Sequence, residues 1–366
     1  MPDVVVVGGG VMGSAAAWQL ARRGADVVLL EQYEPGHLRG SSHGSSRIVR
    51  LSYADPFYVD LAAAAYERWT ELEAEAGEPL LTWTGVVDHG DEPTVREMAD
   101  LLGARGHAVD VLKPAAAMDR WPGLRFTSPV LFHPHGGRGD PDRTVAALKR
   151  LAGRYGAEIR HDSRVDAVAP ATDSVEVRTA DQVIRAGSVV VATGAWTASV
   201  LTGLVTMPRL TVTMEQPAYF PPRDTEQPWT SFIHHLAGIA TRGTATPRGA
   251  YGLSSADGVK VGFHAVGPVI DPDDPDRGID AARLRALQDY VAEWIPGVDA
   301  ARPEAVPCLY DLTDDSDFIV DKVGPVTVAA GFSGHGFKFT PQIGHIVADL
   351  VLDDVPAPRR FGLNRA

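Results

Sequence analysis

Residues 4–31, VVVVGGGVMGSAAAWQLARRGADVVLLE, constrain the fold more than any other stretch of the chain. Val4 to Val7 form a continuous β-branched run, as in a strand buried on both faces of a parallel sheet. Gly8, Gly10 and Gly13 follow at G-x-G-x-x-G spacing. Ala15 to Arg23 read as a helix that Gly24 stops, and Val27 to Leu30 as a second strand with Glu31 at its end. The glycines allow a tight turn and let backbone N–H groups at a helix N-terminus approach a pyrophosphate. Glu31, 18 residues past Gly13, can accept hydrogen bonds from ribose hydroxyls. Strand, loop, helix, strand and acid in this order indicate a dinucleotide, without separating FAD from NAD.

The rest of the chain alternates between two patterns. Pro56 to Gly77 read as a helix with a charged outer face. GAEIRHDSRVDAVA and VEVRTADQVIRAGSVVVATGAW read as strands of a second α/β stretch, and VTVAAGFSGHGFKFTPQIGHIVADLVL as strand, Gly-rich loop and helix. Met207 to Val269 instead show short alternating strands broken by Pro and Gly, followed by the amphipathic helix DAARLRALQDYVAEWIPG. The expected fold class is therefore α/β. A discontinuous Rossmann-like domain (residues 1–83, 138–205 and 312–366) would carry the dinucleotide, and a mainly antiparallel sheet (84–137 and 206–311) would form a substrate domain.

The net charge of −13 argues against nucleic acid, which needs a basic face. No apolar run reaches the length of a membrane helix, and the N-terminus lacks the basic flank of a signal segment. The single cysteine, Cys308, rules out an internal disulfide and is consistent with a reducing cytoplasm. By itself a lone cysteine is usually a small buried hydrophobe. Lysine occurs only at Lys113, Lys149, Lys260, Lys322 and Lys338, so each one in a polar or Gly-rich setting is informative.

Six segments, VVVVGGGVMGSAAAWQLARRG, GSSHGSSRIVR, ATGAW, GVKVGFH, PCLYDLTDDSDFIVD and AAGFSGHGFKF, together resemble the monomeric sarcosine oxidase and N-methyltryptophan oxidase family of FAD enzymes, in the family's order and over almost the whole chain. The resemblance implies FAD covalently attached through Cys308 by an 8α-S-cysteinyl bond. It implies flavin contacts from Gly8, Gly10, Met12, Gly13, Glu31, Ser42, Arg47, Val165, Thr193, Gly194, Trp196, Gly334, Gly336, Phe337 and Lys338. His43 and Arg47 would lie near the ring, and Lys260 would serve oxygen reduction. Arg50 and Lys338 would hold the substrate carboxylate, with Tyr251, His264 and Tyr310 lining the cavity. An amino-acid carboxylate buried against a flavin needs charge-assisted hydrogen bonds, which an arginine fork supplies.

The implied reaction is oxidation of a secondary N-methyl or cyclic α-amino acid to its imine, with hydrogen peroxide formed from oxygen. The implied enzyme is a monomer without metal. An FAD dehydrogenase that hands electrons to another carrier, a flavin-binding redox module without turnover, and a nicotinamide enzyme are the other readings. Three features depart from the family. Tyr251 to Lys260 is short, Leu51 follows Arg50 where a histidine is familiar, and FIHHLAGIATRGTATPRGA matches poorly. All three bear on the identity of the substrate.

Overall fold

The structure is a computed structural model describing residues 1–172, 174–236, 249–274 and 276–365. Most of FIHHLAGIATRGTATPRGA, residues 237–248, therefore lies outside the described residues.

Val4–Val7 pairs in parallel with Val27–Leu30 on one side and Ser188–Val191 on the other. Val326–Ala330 and Glu158–Arg160 extend the parallel array, and Ile319–Val323 adds an antiparallel edge, giving six strands. The unbroken apolar runs have a direct explanation, because successive side chains point to opposite faces and both faces are covered. Val4, Val6, Val27 and Leu29 pack into a core with the helices Val11–Arg22, Pro56–Ala76, Pro141–Arg154 and Thr340–Leu352. Val5, Val7, Val28 and Leu30 pack instead against an antiparallel meander of Val165–Pro170, Val175–Thr179 and Val183–Ala186. Each fully buried valine contributes about 1.5 kcal/mol or more of transfer free energy. The meander corrects the reading of residues 165–186 as part of a further α/β stretch, while Glu158–Arg160 and Ser188–Val191 from the same segments do join the parallel sheet. The meander's connections of a few residues can join only antiparallel strands.

Two helix boundaries are informative. The first helix begins at Val11, four residues before the expected start, so the last glycine of the motif lies inside it. The helix Pro56–Ala76 starts where the Asp55 side chain accepts from Phe57 N at 2.9 Å and stops at Gly77, which is left-handed at φ 70°.

A second sheet of eight strands holds Val86–Gly90, Asp110–Leu112, Val130–His133, Ala218–Phe220, Ser231–His235, Gly249–Ser255, Gly258–Phe263 and Glu304–Ala305. All its pairs are antiparallel except that between Val86–Gly90 and Ser231–His235. One face packs on the helix Ala281–Trp294 through Phe220, Phe232, Val259, Val261 and Tyr290. The other face carries Lys260, Tyr251, Ile233 and His235, and these four line a cavity of about 910 Å³ bounded on its far side by the six-stranded sheet's loops. Among the described residues, no helix is long and apolar enough to cross a membrane, and no His, Cys, Asp and Glu cluster could hold a metal ion.

Candidate active site

The cavity begins at the glycine cradle. Gly8 has φ 102°, and a Cβ there would lie 2.4 Å from the Ala192 carbonyl oxygen. A Cβ on Gly13 would lie 1.9 Å from the Gly8 carbonyl oxygen, so helix and strand can meet only over glycine. Ser42 Oγ accepts from Val11 N at 3.0 Å and caps the helix in place of a side chain at Gly10. Glu31 stands at the end of the second strand and accepts from Gly9 N at 2.7 Å and Tyr33 N at 3.1 Å. Burial pushes its carboxyl up, but His37 and these two backbone donors outweigh that and hold it below the ordinary value. The cradle, the free N–H groups of a helix N-terminus and an ionised acid beside them fit the pyrophosphate and ribose of FAD. Met12, Val165, Thr193, Gly194 and Trp196 line the same part of the cavity.

In the middle of the cavity, Arg47 and Cys308 meet. Cys308 and Tyr310 sit two apart on the strand Cys308–Leu312, so both side chains project to the same face and into the cavity. Arg47 Nη2 donates to Cys308 Sγ at 3.8 Å and to the Ser41 carbonyl at 2.8 Å, while Nη1 donates to the Ser46 carbonyl at 2.8 Å. Lys260 is buried, with Nζ 5.5 Å from the Tyr219 ring centre and no hydrogen-bonded or ionic partner among the described residues. Burial, reinforced by the charge of Arg47, lowers it to about 7. His43 is buried outside the cavity lining, with Nε2 unpartnered, and burial plus the charges of Arg47 and Lys260 hold it at about 3. It is a neutral ring just outside the residues that line the cavity.

The far end is a cationic clamp. Lys338 is buried in Gly336–Phe339, and its Nζ donates to the Tyr53 hydroxyl at 2.9 Å and the His335 carbonyl at 2.7 Å. The Arg50 guanidinium lies 4.4 Å from the centre of the same Tyr53 ring. Burial first, then the charge of Arg50, pushes the Lys338 amine far below its ordinary value. Among the described residues no carboxylate bonds directly to Arg50 or Lys338, so an incoming carboxylate, which also favours the charged form of the Lys338 amine, is strongly favoured here. His264 and Tyr310 face each other at 5.6 Å between ring centres. His264 has accessible surface on the cavity wall but is enclosed by protein. Burial, then the charges of Lys338 and Arg50, hold it at about 4. Tyr251 lies over Gly262, where a Cβ would come within 2.9 Å of its hydroxyl. Gly334 allows Tyr310 the same close approach, since a Cβ there would lie 2.1 Å from its ring.

The family model for FAD dependent oxidoreductases (DAO) matches residues 3–350, which include the cradle, Cys308 and the clamp.

The chain belongs to the DAO family of FAD-dependent oxidoreductases.

Its relatives narrow the class. The chain is similar to a monomeric sarcosine oxidase of Streptomyces avermitilis at 36% identity, covering 97% of this chain and 94% of the relative. It is also similar to a monomeric sarcosine oxidase of a Bacillus species at 33% identity, covering 96% and 92%. Among solved structures, NikD, described as an unusual amino acid oxidase essential for nikkomycin biosynthesis, superposes with a TM-score of 0.87 at 26% identity, covering 99% of this chain and 97% of that one. This DAO member is a flavin-dependent amine oxidase.

Sequence reasoning missed several residues of this DAO site. Tyr53 bridges the two clamp cations, and His335 Nδ1 lies 3.2 Å from its hydroxyl. Asp311, on the strand of Cys308, lines the cavity with its carboxyl raised by burial to about 6. Arg50 reaches Asp88 through the Ser52 hydroxyl, and Asp88 in turn pairs with His235. Asp311, one residue past Tyr310, alternates to the other side of that strand, so the spacing that pairs the cysteine with the tyrosine gave no signal for it. Tyr53 carried none, because nothing in its own segment marks it as a partner of a lysine 285 positions away.

Proposed function

We propose that this protein oxidises a secondary α-amino acid, N-methyl or cyclic, to its imine and passes the electrons to oxygen, forming hydrogen peroxide. The observation that carries the reading is the convergence of Arg50 and Lys338 on Tyr53 in the cavity that Cys308 and Lys260 also line. Arg50 and Lys338 bind the substrate carboxylate and orient the molecule lengthwise. His264, neutral above about pH 4, can accept a hydrogen bond from the amine without repelling it. Tyr251 and Tyr310 close the walls and keep water from the reacting carbon. When bound, FAD supplies the two-electron acceptor. Cys308 is taken as its covalent tether, since it is the single cysteine of the sequence, lines the cavity and has the fixed Arg47 guanidinium beside its sulfur. Lys260, buried and without an anionic partner among the described residues, stabilises the negative charge that builds on oxygen as it is reduced. The distribution of strands over the two large sheets supports assigning residues 1–83, 138–205 and 312–366 to the cofactor and 84–137 and 206–311 to the substrate. The lone reduced cysteine suits a cytoplasmic enzyme.

The test is a panel of N-methyl and cyclic amino acids, with primary amino acids and simple amines as controls, read by peroxide formation and oxygen uptake together. Turnover of a carboxylate-bearing secondary amine with stoichiometric peroxide supports the reading. Substrate-dependent flavin reduction without oxygen uptake would make the protein a dehydrogenase.

A further inference from the structure

One face of the eight-stranded sheet lines the cavity, and its pairing register places His235, Gly249 and His264 side by side. His235 pairs with Gly249, and His264 N donates to the Gly249 carbonyl at 3.0 Å. Gly249 has no side chain, so the two imidazoles flank a bare strip of backbone on the cavity wall. Ile233 pairs with Asp88 on the neighbouring strand, which puts the Asp88 carboxylate on this same face.

Asp88 is fully buried. Its Oδ1 lies 2.9 Å from His235 Nε2, and its Oδ2 accepts from Ser52 Oγ at 2.5 Å. Burial alone would raise the carboxyl, but the His235 hydrogen bond, the charge of Arg50 and the Ser52 hydroxyl together hold it below its ordinary value. An ionised carboxylate can only accept, so His235 Nε2 carries the proton. In the neutral ring Nδ1 is then an acceptor, and among the described residues no group bonds to it. The dyad is also tied to the clamp, since Arg50 Nη1 donates to Ser52 Oγ at 3.2 Å. A buried acid, spent on orienting a histidine at the cavity wall one hydroxyl away from the carboxylate-binding arginine, fits a recognition role better than a packing role.

We propose that His235, oriented by Asp88, is a substrate-binding residue that accepts a hydrogen bond from a hydroxyl or N–H group on the substrate side chain. The preferred substrate is then a secondary α-amino acid with a polar, donor-bearing side chain. The inference rests on the reading that Arg50 and Lys338 bind the carboxylate, because that fixes which end of the substrate reaches His235.

Binding of non-oxidisable carboxylates to the FAD-loaded enzyme, followed by the change in flavin absorbance, separates the two claims. The probes are ω-hydroxycarboxylates of three to five carbons, each paired with the carboxylate that carries a methyl in place of the hydroxyl; 4-hydroxybutanoate against pentanoate is one such pair. Wild type is expected to bind at least one hydroxyl ligand roughly 5- to 10-fold more tightly than its methyl partner, the worth of one neutral hydrogen bond. His235→Phe and Asp88→Asn should erase that ratio, and pentanoate should bind His235→Phe within about threefold of wild type. Equal binding within every pair in wild type overturns the proposal without any variant, as does a ratio that survives in His235→Phe. If no carboxylate perturbs the flavin of wild type, the clamp reading fails and the proposal falls with it.

Discussion

Arg47 Nη2 stands 3.8 Å from Cys308 Sγ, joining residues 261 positions apart in the chain. The guanidinium is fixed there by the Ser41 and Ser46 carbonyls, so its charge is already in place when a flavin enters. Acid precipitation of the purified protein should leave the flavin in the pellet. Cys308→Ala should release it into the supernatant, and Arg47→Met should slow attachment to added FAD by at least tenfold. Complete release from wild type would exclude the tether.

The Lys260 amine is lowered to about 7, by burial first and then by Arg47. A lysine with a depressed value is an ammonium below that pH and neutral above it. The rate constant for reoxidation of the reduced enzyme by oxygen should therefore fall as pH rises through about 7. Negative charge on a bound reduced flavin can only move that decline upward. Lys260→Met should be slower by about 100- to 1,000-fold and insensitive to pH in this range. Stopped-flow mixing with oxygen measures both, and anaerobic reduction by substrate should change less than threefold. Equal losses in the two half-reactions would show that Lys260 serves substrate.

Behind the cavity sheet, His89 and His234 stack at 4.1 Å between ring centres, and His234 Nδ1 lies 2.9 Å from the Tyr290 hydroxyl. Burial lowers His234 from 6.5 to about 4 and pushes His89 well below its ordinary value, with the charges of neighbouring histidines adding to both. A base whose folded value is depressed stabilises the fold fully above its unfolded value. That stability is lost as pH falls from about 6.5 toward 4. Each such group contributes up to about 1.4 kcal/mol per pH unit. The urea midpoint should drop steeply between pH 7 and 5, and less steeply in His234→Gln. A midpoint that stays level across this range would contradict the burial of these rings as neutral groups.

Much of this was legible in the sequence where one segment carried both shape and chemistry. The valine run, the glycines and Glu31 specify strand, cradle and acid within 28 residues. Lys260 and His264 share a strand face by simple alternation. The pairing of Cys308 with Tyr310 is the same rule applied to one strand. What stayed illegible depends on which segments the topology brings together. Tyr53 reads as a loop tyrosine until Lys338 and His335 fold onto it. Asp88 and His235 become partners only because Val86–Gly90 and Ser231–His235 form the single parallel pair of the eight-stranded sheet. The helix start at Val11 was missed because glycine is a poor helix former, and the backbone N–H groups of a cofactor-binding turn outrank that propensity.

The central claim is that Arg50 and Lys338 act together on a carboxylate. The most direct test compares kcat/KM for an N-alkyl amino acid with that for its decarboxylated amine, in wild type, Arg50→Met and Lys338→Met. A hydrogen bond to a charged group contributes about 1.5–3 kcal/mol, so each variant should lose roughly 10- to 150-fold on the amino acid. Each should lose less than threefold on the amine, because substrate anion and enzyme cation are coupled. An amine that wild type turns over as well as the amino acid, or equal losses on both substrates, would contradict the account.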